Sequence, residues 1–202
     1  MEDEIFYKIT RNVRRPAKHK KAIFSCGASG TGKTTNRSQF LKDAGLKTTH
    51  VYLNVDRVRY LAGSHEKGRL LLKHLVKRTI EEKYSILLDA TCHDQKNIVE
   101  LMKTLKDAGY IITLAMTYAK LDTVIERAEK RVTQAVDEDL VHDIYQHMKK
   151  TAETYMSVDD IDEIYLYNNE ETSKLIFYRG RKRMQCISPT TEFYFDVSQY
   201  CN

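Results

Sequence analysis

Gly27-Ala28-Ser29-Gly30-Thr31-Gly32-Lys33-Thr34 fits G-x-x-x-x-G-K-[ST] at every fixed position, and its flanks give the string its meaning. Ahead of it, Ala22-Ile23-Phe24-Ser25-Cys26 is an apolar run that reads as a buried strand. Behind it, a polar segment with Phe40 and Leu41 as its apolar positions reads as a helix ending near Gly45. Strand, glycine loop and helix form the context in which such a loop holds phosphate. Gly27, Gly30 and Gly32 can take backbone angles closed to other residues, so successive N–H groups turn inward around an anion. A helix starting near Lys33 adds its positive N-terminal end. Lys33 would reach the β- and γ-phosphates of a nucleoside triphosphate, and the Thr34 hydroxyl would ligate magnesium. The expected nucleotide-binding set is Gly27, Ala28, Ser29, Gly30, Thr31, Gly32, Lys33, Thr34 and Thr35.

Outward from the loop, β-type and helical patterns alternate. Thr48 to Leu53 is a second β-rich run, and residues 66–83 carry Leu70, Leu71, Leu75, Val76 and Ile80 at helical spacing. Tyr84 to Leu88 is a compact apolar strand ending at Asp89. Residues 94–107 place Ile98, Leu101, Met102 and Leu105 on one helix face, with Gly109 as a stop signal. Tyr110 to Tyr118 is another strand, followed by a helix to about Val132 and one more over 138–156. Glu163 to Tyr167, Lys174 to Arg179 and Phe193 to Val197 are short β-type runs expected to close one edge. Parallel neighbours require crossovers, so the alternation predicts an α/β fold: a mostly parallel sheet between two helical layers.

At 202 residues the chain has room for one three-layer domain. We divide it into a basic N-terminal arm, 1–21, and a folded domain, 22–202. The composition, 42% hydrophobic and 30% charged, is that of a soluble globular protein, and no apolar run reaches the length of a membrane helix. Met1-Glu2-Asp3-Glu4 is acidic where a secretory signal is basic. Cys26, Cys92, Cys186 and Cys201 lack metal-ligand spacing and are expected as reduced thiols in a cytoplasmic setting. The net charge of +5 is uneven. Arg11, Arg14, Arg15, Lys18, Lys20 and Lys21 precede the first strand, and Arg179, Arg181, Lys182 and Arg183 surround Gly180. Each cluster reads equally as a polyanion contact or as a solvated surface.

Three further groups can carry chemistry. Asp56, just past the second strand in Tyr52-Leu-Asn-Val-Asp-Arg-Val-Arg59, lies where ligands collect beyond the carboxyl ends of strands. It can accept a proton from an attacking hydroxyl, or it can cap the following helix. Asp89, in Leu87-Leu-Asp-Ala-Thr91, can hold magnesium or orient a substrate, while Asp89 or Thr91 can equally serve as a helix cap; His93 reads as a surface residue. Arg127 and Arg131 share one helix face at i, i+4. They can reach over a triphosphate, or pair with Glu126 and Glu129 on a solvated helix.

In combination these segments resemble the P-loop kinases that include polynucleotide 5′-hydroxyl kinases and the zeta-toxin group. The resemblance covers roughly residues 22–156. The polynucleotide kinases carry Asn-x-Asp-x-x-Arg after the second strand, matched by Asn54, Asp56 and Arg59. It implies Asp56 as general base, Arg59 on a substrate phosphate, Asp89 and Thr91 toward the substrate, Thr34 and Asp89 toward magnesium, and Arg127 and Arg131 as lid arginines on the ATP phosphates. Lys33, Asp56 and Arg131 are then the catalytic set, with ATP and Mg2+ as cofactors. The zeta-toxin group, which phosphorylates amino-sugar nucleotides, shares the loop, the strand-end aspartate, the lid arginines and a tail like Ile164 to Asn169. It usually carries a glycine-histidine element where this chain has Thr133-Gln-Ala-Val136. The resemblance favours transfer to the 5′-hydroxyl of a nucleic acid or nucleotide, with a sugar nucleotide as the second acceptor. An ATP-gated binding protein is the rival from outside enzymes.

Overall fold

A computed structural model describes residues 2–14, 19–45, 50–130, 137–188 and 192–201, with only the backbone at His65. The elements run α1 (Glu2–Thr10), β1 (Lys21–Cys26), α2 (Lys33–Asp43), β2 (His50–Asn54), α3 (Val55–Ala62), α4 (His65–Glu81), β3 (Ser85–Asp89), α5 (Gln95–Asp107) and β4 (Ile111–Tyr118). They continue through α6 (Leu121–Glu129), α7 (Glu138–Thr151), a 3-10 stretch (Ala152–Ser157), β5 (Glu163–Asn168), β6 (Lys174–Arg179), β7 (Met184–Cys186) and a final 3-10 turn (Val197–Tyr200).

The seven strands form one sheet in the order β2-β3-β1-β4-β5-β6-β7. The first five are parallel and the last two antiparallel. β1, β3 and β4 are buried almost end to end, as strands covered by helices on both faces must be. Ile23, Phe40, Leu87 and Tyr167 pack one face, and Phe24, Leu75, Met102 and Leu114 belong to the larger core. Because β3 inserts between β1 and β2, the chain leaves β1 in opposite directions on its two sides. The crevice this opens lies beyond the carboxyl ends of the central strands, where the glycine loop sits.

Several expectations change. A hairpin, β6–β7, closes the edge as expected, but Glu163–Asn168 is a fifth parallel strand. Phe193 to Val197 does not form a strand: its aromatic rings turn inward onto Tyr118 instead of pairing along an edge. Within the expected basic arm, Glu2–Thr10 form a helix against α4. Phe6 is buried edge-on to Tyr84, and Arg78 reaches Asp3 at 2.5 Å while lying over the Phe6 ring. The cysteines are not reduced thiols in this structure: Cys26 pairs with Cys92 and Cys186 with Cys201. Sequence spacing gave no sign of this, because 66 residues separate the first pair.

The two basic clusters are also redirected. Lys21 pairs with Ile111 and Arg179 with Ile164, and Lys20 O accepts from Ile111 N, so these members of the two clusters border the amino ends of the parallel strands. That is about 17–20 Å along the strands from the glycine loop. Much of this charge is spent inside the fold. Lys20 donates to Ala108 O, Lys21 to Ala44 O and Glu163, Arg179 to Met156 O, and Arg181 to Asp162. Arg15 and Lys18 lie outside the described residues. No described helix is long and apolar enough to cross a membrane.

Candidate active site

The glycine loop joins β1 to α2, and its backbone carries the predicted conformations. Gly27, Gly30 and Gly32 have φ of +144°, +93° and +88°. A Cβ on Gly27 would stand 2.5 Å from Thr117 O, and one on Gly30 would stand 2.4 Å from Val124 O, so side chains are excluded by contact as well as by conformation. Lys33 folds back over the loop, donating to Gly27 O at 2.6 Å and to Ala28 O at 3.0 Å. Ser29 is partly exposed, and Thr34 and Thr35 at the start of α2 are exposed. The loop therefore presents a helix N-terminus, a lysine and open hydroxyls on one side, which is a cradle for a polyphosphate.

The other side of the loop is held by groups far away in sequence. Thr31 Oγ1 contacts Thr117 Oγ1 at 3.0 Å and donates to Ala28 O at 2.9 Å. Asn169, just past β5, donates from Nδ2 to Thr31 O at 2.7 Å. The Tyr194 hydroxyl receives the Ala28 N–H at 3.0 Å. Arg127 belongs to this same support. Its guanidinium donates to Asn169 O at 2.9 Å and Glu170 O at 2.7 Å, so neither Glu126 nor Glu129 is its hydrogen-bond partner. Arg131, expected beside it, lies outside the described residues.

At the carboxyl end of β3, Asp89 is 4% exposed. Its Oδ2 accepts from Tyr52 Oη at 2.8 Å and from Asn54 Nδ2 at 3.3 Å. Burial raises the Tyr52 phenol, helped by the charge and acceptor of Asp89, so the hydroxyl stays protonated and donating. The Arg37 guanidinium lies over the Tyr52 ring at 4.5 Å. Both bonds fall on Oδ2, which leaves Oδ1 to face other chemistry.

The capping alternatives are resolved. Asn54 caps α3, its side chain accepting from Arg57 N at 2.8 Å, and Asp94 caps α5. Asp56, Asp89 and Thr91 are therefore not helix caps. Asp56 stands in the first turn of α3, its side chain 63% exposed and 3.8 Å from Arg59. Gly68 of α4 lies against Arg59, where a Cβ would stand 2.8 Å from the Arg59 Cα. Thr91 Oγ1 is 2.6 Å from His93 Nδ1, and the His93 ring meets that of His147 edge-on at 6.3 Å. His93 is half-buried rather than a plain surface residue. Burial lowers its basicity, against the charges of Asp94 and Asp56 and along with those of His147 and Arg59.

Sequence reasoning missed Tyr52, Arg37, Asn169 and Tyr194. The first two lie in segments already read as a strand and a helix, and their aromatic-over-cation pairing is a product of sheet order. Asn169 and Tyr194 lie 138 and 166 residues from their loop partners.

A parallel sheet with a phosphate loop after β1 and a buried aspartate ending β3 is the frame of a P-loop nucleotide-binding fold, and with the family match that follows it makes the chain an ATP-dependent phosphotransferase. Residues 3–182 match the family model described as Zeta toxin, and the chain belongs to that family. No curated protein matches it. A solved structure from the PezAT chromosomal toxin–antitoxin system of Streptococcus pneumoniae is similar over 93% of this chain and 82% of its own, at 18% identity and a TM-score of 0.66. The AvrRxo1-ORF1:AvrRxo1-ORF2 complex is similar over 93% and 69%, at 12% identity and a TM-score of 0.72. The same complex with ATP is similar over 93% and 68%, at 11% identity and a TM-score of 0.71. At such identities each likeness is one of fold.

Proposed function

We propose that the chain transfers the γ-phosphoryl group of ATP to a hydroxyl of a small phosphate-bearing acceptor of the sugar-nucleotide type. The observation that carries this reading is the position of the basic clusters. Lys20, Lys21 and Arg179 border the amino ends of the strands, away from the glycine loop, and among the described residues the cations beside the site, Lys33, Arg37 and Arg59, suit a small phosphate-bearing acceptor. Membership of the zeta toxin family supports the same acceptor class. The Asn54-x-Asp56-x-x-Arg59 spacing favours a second reading, the 5′-hydroxyl of a nucleic acid or nucleotide.

Under either acceptor the roles are the same. Lys33 and the loop amides hold the β- and γ-phosphates. Asp56, exposed at the mouth of the crevice, takes the proton of the attacking hydroxyl. Arg59, beside it, grips the acceptor phosphate with a planar two-pronged donor set. The exposed Thr34 hydroxyl and the Oδ1 of Asp89 are hard oxygen donors of the kind magnesium takes, so the residues fit that ion. When bound, Mg2+ would neutralise charge between the phosphates. Asn54 and Tyr52 fix the Asp89 carboxylate. Arg131 completes the phosphate clamp in this proposal.

The test pairs Asp56→Asn with a panel of acceptors and γ-labelled ATP. Because Asn54 is the cap, the change removes proton acceptance without removing a helix cap. Transfer should fall about 10²- to 10⁴-fold while ATP affinity and thermal stability hold. Wild-type transfer by the variant would remove the base assignment. Label appearing on 5′-hydroxyl DNA or RNA but not on sugar nucleotides would replace the first reading by the second.

A further inference from the structure

We infer that the C-terminal segment is a working part of the nucleotide site, with Tyr194 as a positioning residue for the phosphate loop. The Tyr194 side chain reaches the loop from 166 residues away and closes a bond on each side of its oxygen. It accepts from Ala28 N–H at 3.0 Å and donates to Thr117 O at 3.2 Å. The residue is 3% exposed, and burial raises its phenol far above the ordinary value, so the hydroxyl does not ionise at any working pH. Its ring is fixed by Tyr118 at 5.2 Å, Phe193 at 5.3 Å and Tyr145 of α7 at 5.7 Å.

The consequence lies in the first peptides of the loop. Gly27 N donates to Thr91 O at 3.3 Å, and Ala28 N donates to Tyr194. Both amides are turned into the protein. Peptide orientation propagates along a turn, so fixing these two planes sets the direction of the amides that follow, which serve the anion. Without the hydroxyl, the Ala28 amide and the Thr117 carbonyl stay buried with no partner. The peptide between Gly27 and Ala28 then keeps the Lys33 bond at its carbonyl but loses the anchor at its amide, and it gains freedom to rotate. A loop ordered before nucleotide arrives spares the ligand that ordering cost. Tyr194 acts through the loop and touches no phosphate.

Tyr194→Phe in the full chain tests this, with Tyr110→Phe as the control. Tyr110 also buries a donating hydroxyl, to Tyr84 O at 2.7 Å, but at the amino end of β4. The readout is equilibrium binding of ADP and of a non-hydrolysable ATP analogue, beside thermal stability, so the result does not depend on which acceptor the enzyme uses. Tyr194→Phe should weaken nucleotide binding about tenfold, whereas Tyr110→Phe should lower stability and leave affinity at the wild-type value. Affinity of Tyr194→Phe within about twofold of wild type, or an equal loss in both variants, would overturn the inference. Hydrogen exchange on the wild-type protein decides the matter even if the variant does not fold. The Ala28 amide should be strongly protected without nucleotide, and exchange at the rate of an open loop would refute the proposal.

Discussion

Gly32 offers a sharp quantitative test of how the phosphate loop is held. It precedes α2 at φ +88°, and a Cβ there would stand 1.9 Å from Asn169 Nδ2. Gly32→Ala therefore meets two separate costs. Holding alanine in the left-handed region costs about 1–2 kcal/mol. Pushing the Asn169 amide aside breaks its 2.7 Å bond to Thr31 O and leaves a buried carbonyl without its partner. That second effect costs about 1–3 kcal/mol, for a total of about 2–5 kcal/mol. Asn169→Ala alone suffers only the second cost. In the double variant the clash has gone with the side chain and the bond is already lost, so it should be no less stable than Gly32→Ala alone. The cycle thus predicts a coupling of about 1–3 kcal/mol between the two sites. Urea unfolding of the four proteins measures it, and ADP binding should weaken in both single variants. Additivity within about 0.5 kcal/mol would refute the claim that Asn169 supports the loop through Thr31.

Three other outcomes are expected. Lys33→Ala should slow phosphoryl transfer by about 10²- to 10³-fold, since its ammonium already lies at the loop, bonded to Gly27 O and Ala28 O; wild-type turnover would place the phosphates elsewhere. Arg127→Ala should destabilise the protein by about 1.5–3 kcal/mol per lost charged hydrogen bond to the Asn169 and Glu170 carbonyls, and weaken ADP binding as that support loosens; an unchanged melting temperature would mark the arginine as free to serve the ligand. Burial lowers the folded-state basicity of His93 below its ordinary value near 6.5, so between the two values the unfolded chain binds more protons. The stability this residue contributes is complete above about pH 6.5 and is lost as pH falls through the folded value, so His93→Gln should flatten the decline in melting temperature on acidification; an unaltered pH profile would dismiss the effect.

The glycine loop, the strand and helix on either side of it, and the alternation that makes a parallel sheet were legible in the amino-acid sequence. Those features are written in neighbouring residues: the backbone freedom of Gly27, Gly30 and Gly32, apolar runs with two-sided burial, and helical spacing ended by Gly109. The sequence also placed Asp56, Asp89 and Thr91 at strand ends, because a carboxyl end is recognisable from the run that precedes it. What those side chains face was a matter for tertiary structure. Only sheet order puts β2 beside β3, so that Tyr52 and Asn54 meet Asp89, whereas the α3 cap is local, Asn54 accepting from Arg57 N three residues on. The fold likewise set the Arg127 guanidinium on the Asn169 and Glu170 carbonyls and placed Lys20, Lys21 and Arg179 at the amino ends of the strands. It paired the cysteines and brought Asn169 and Tyr194 under the loop. These depend on contacts between residues far apart in the chain. Local patterns carry a residue's own preference for helix, strand or turn, but the identity of its partner is decided by which segments the packed sheet makes neighbours.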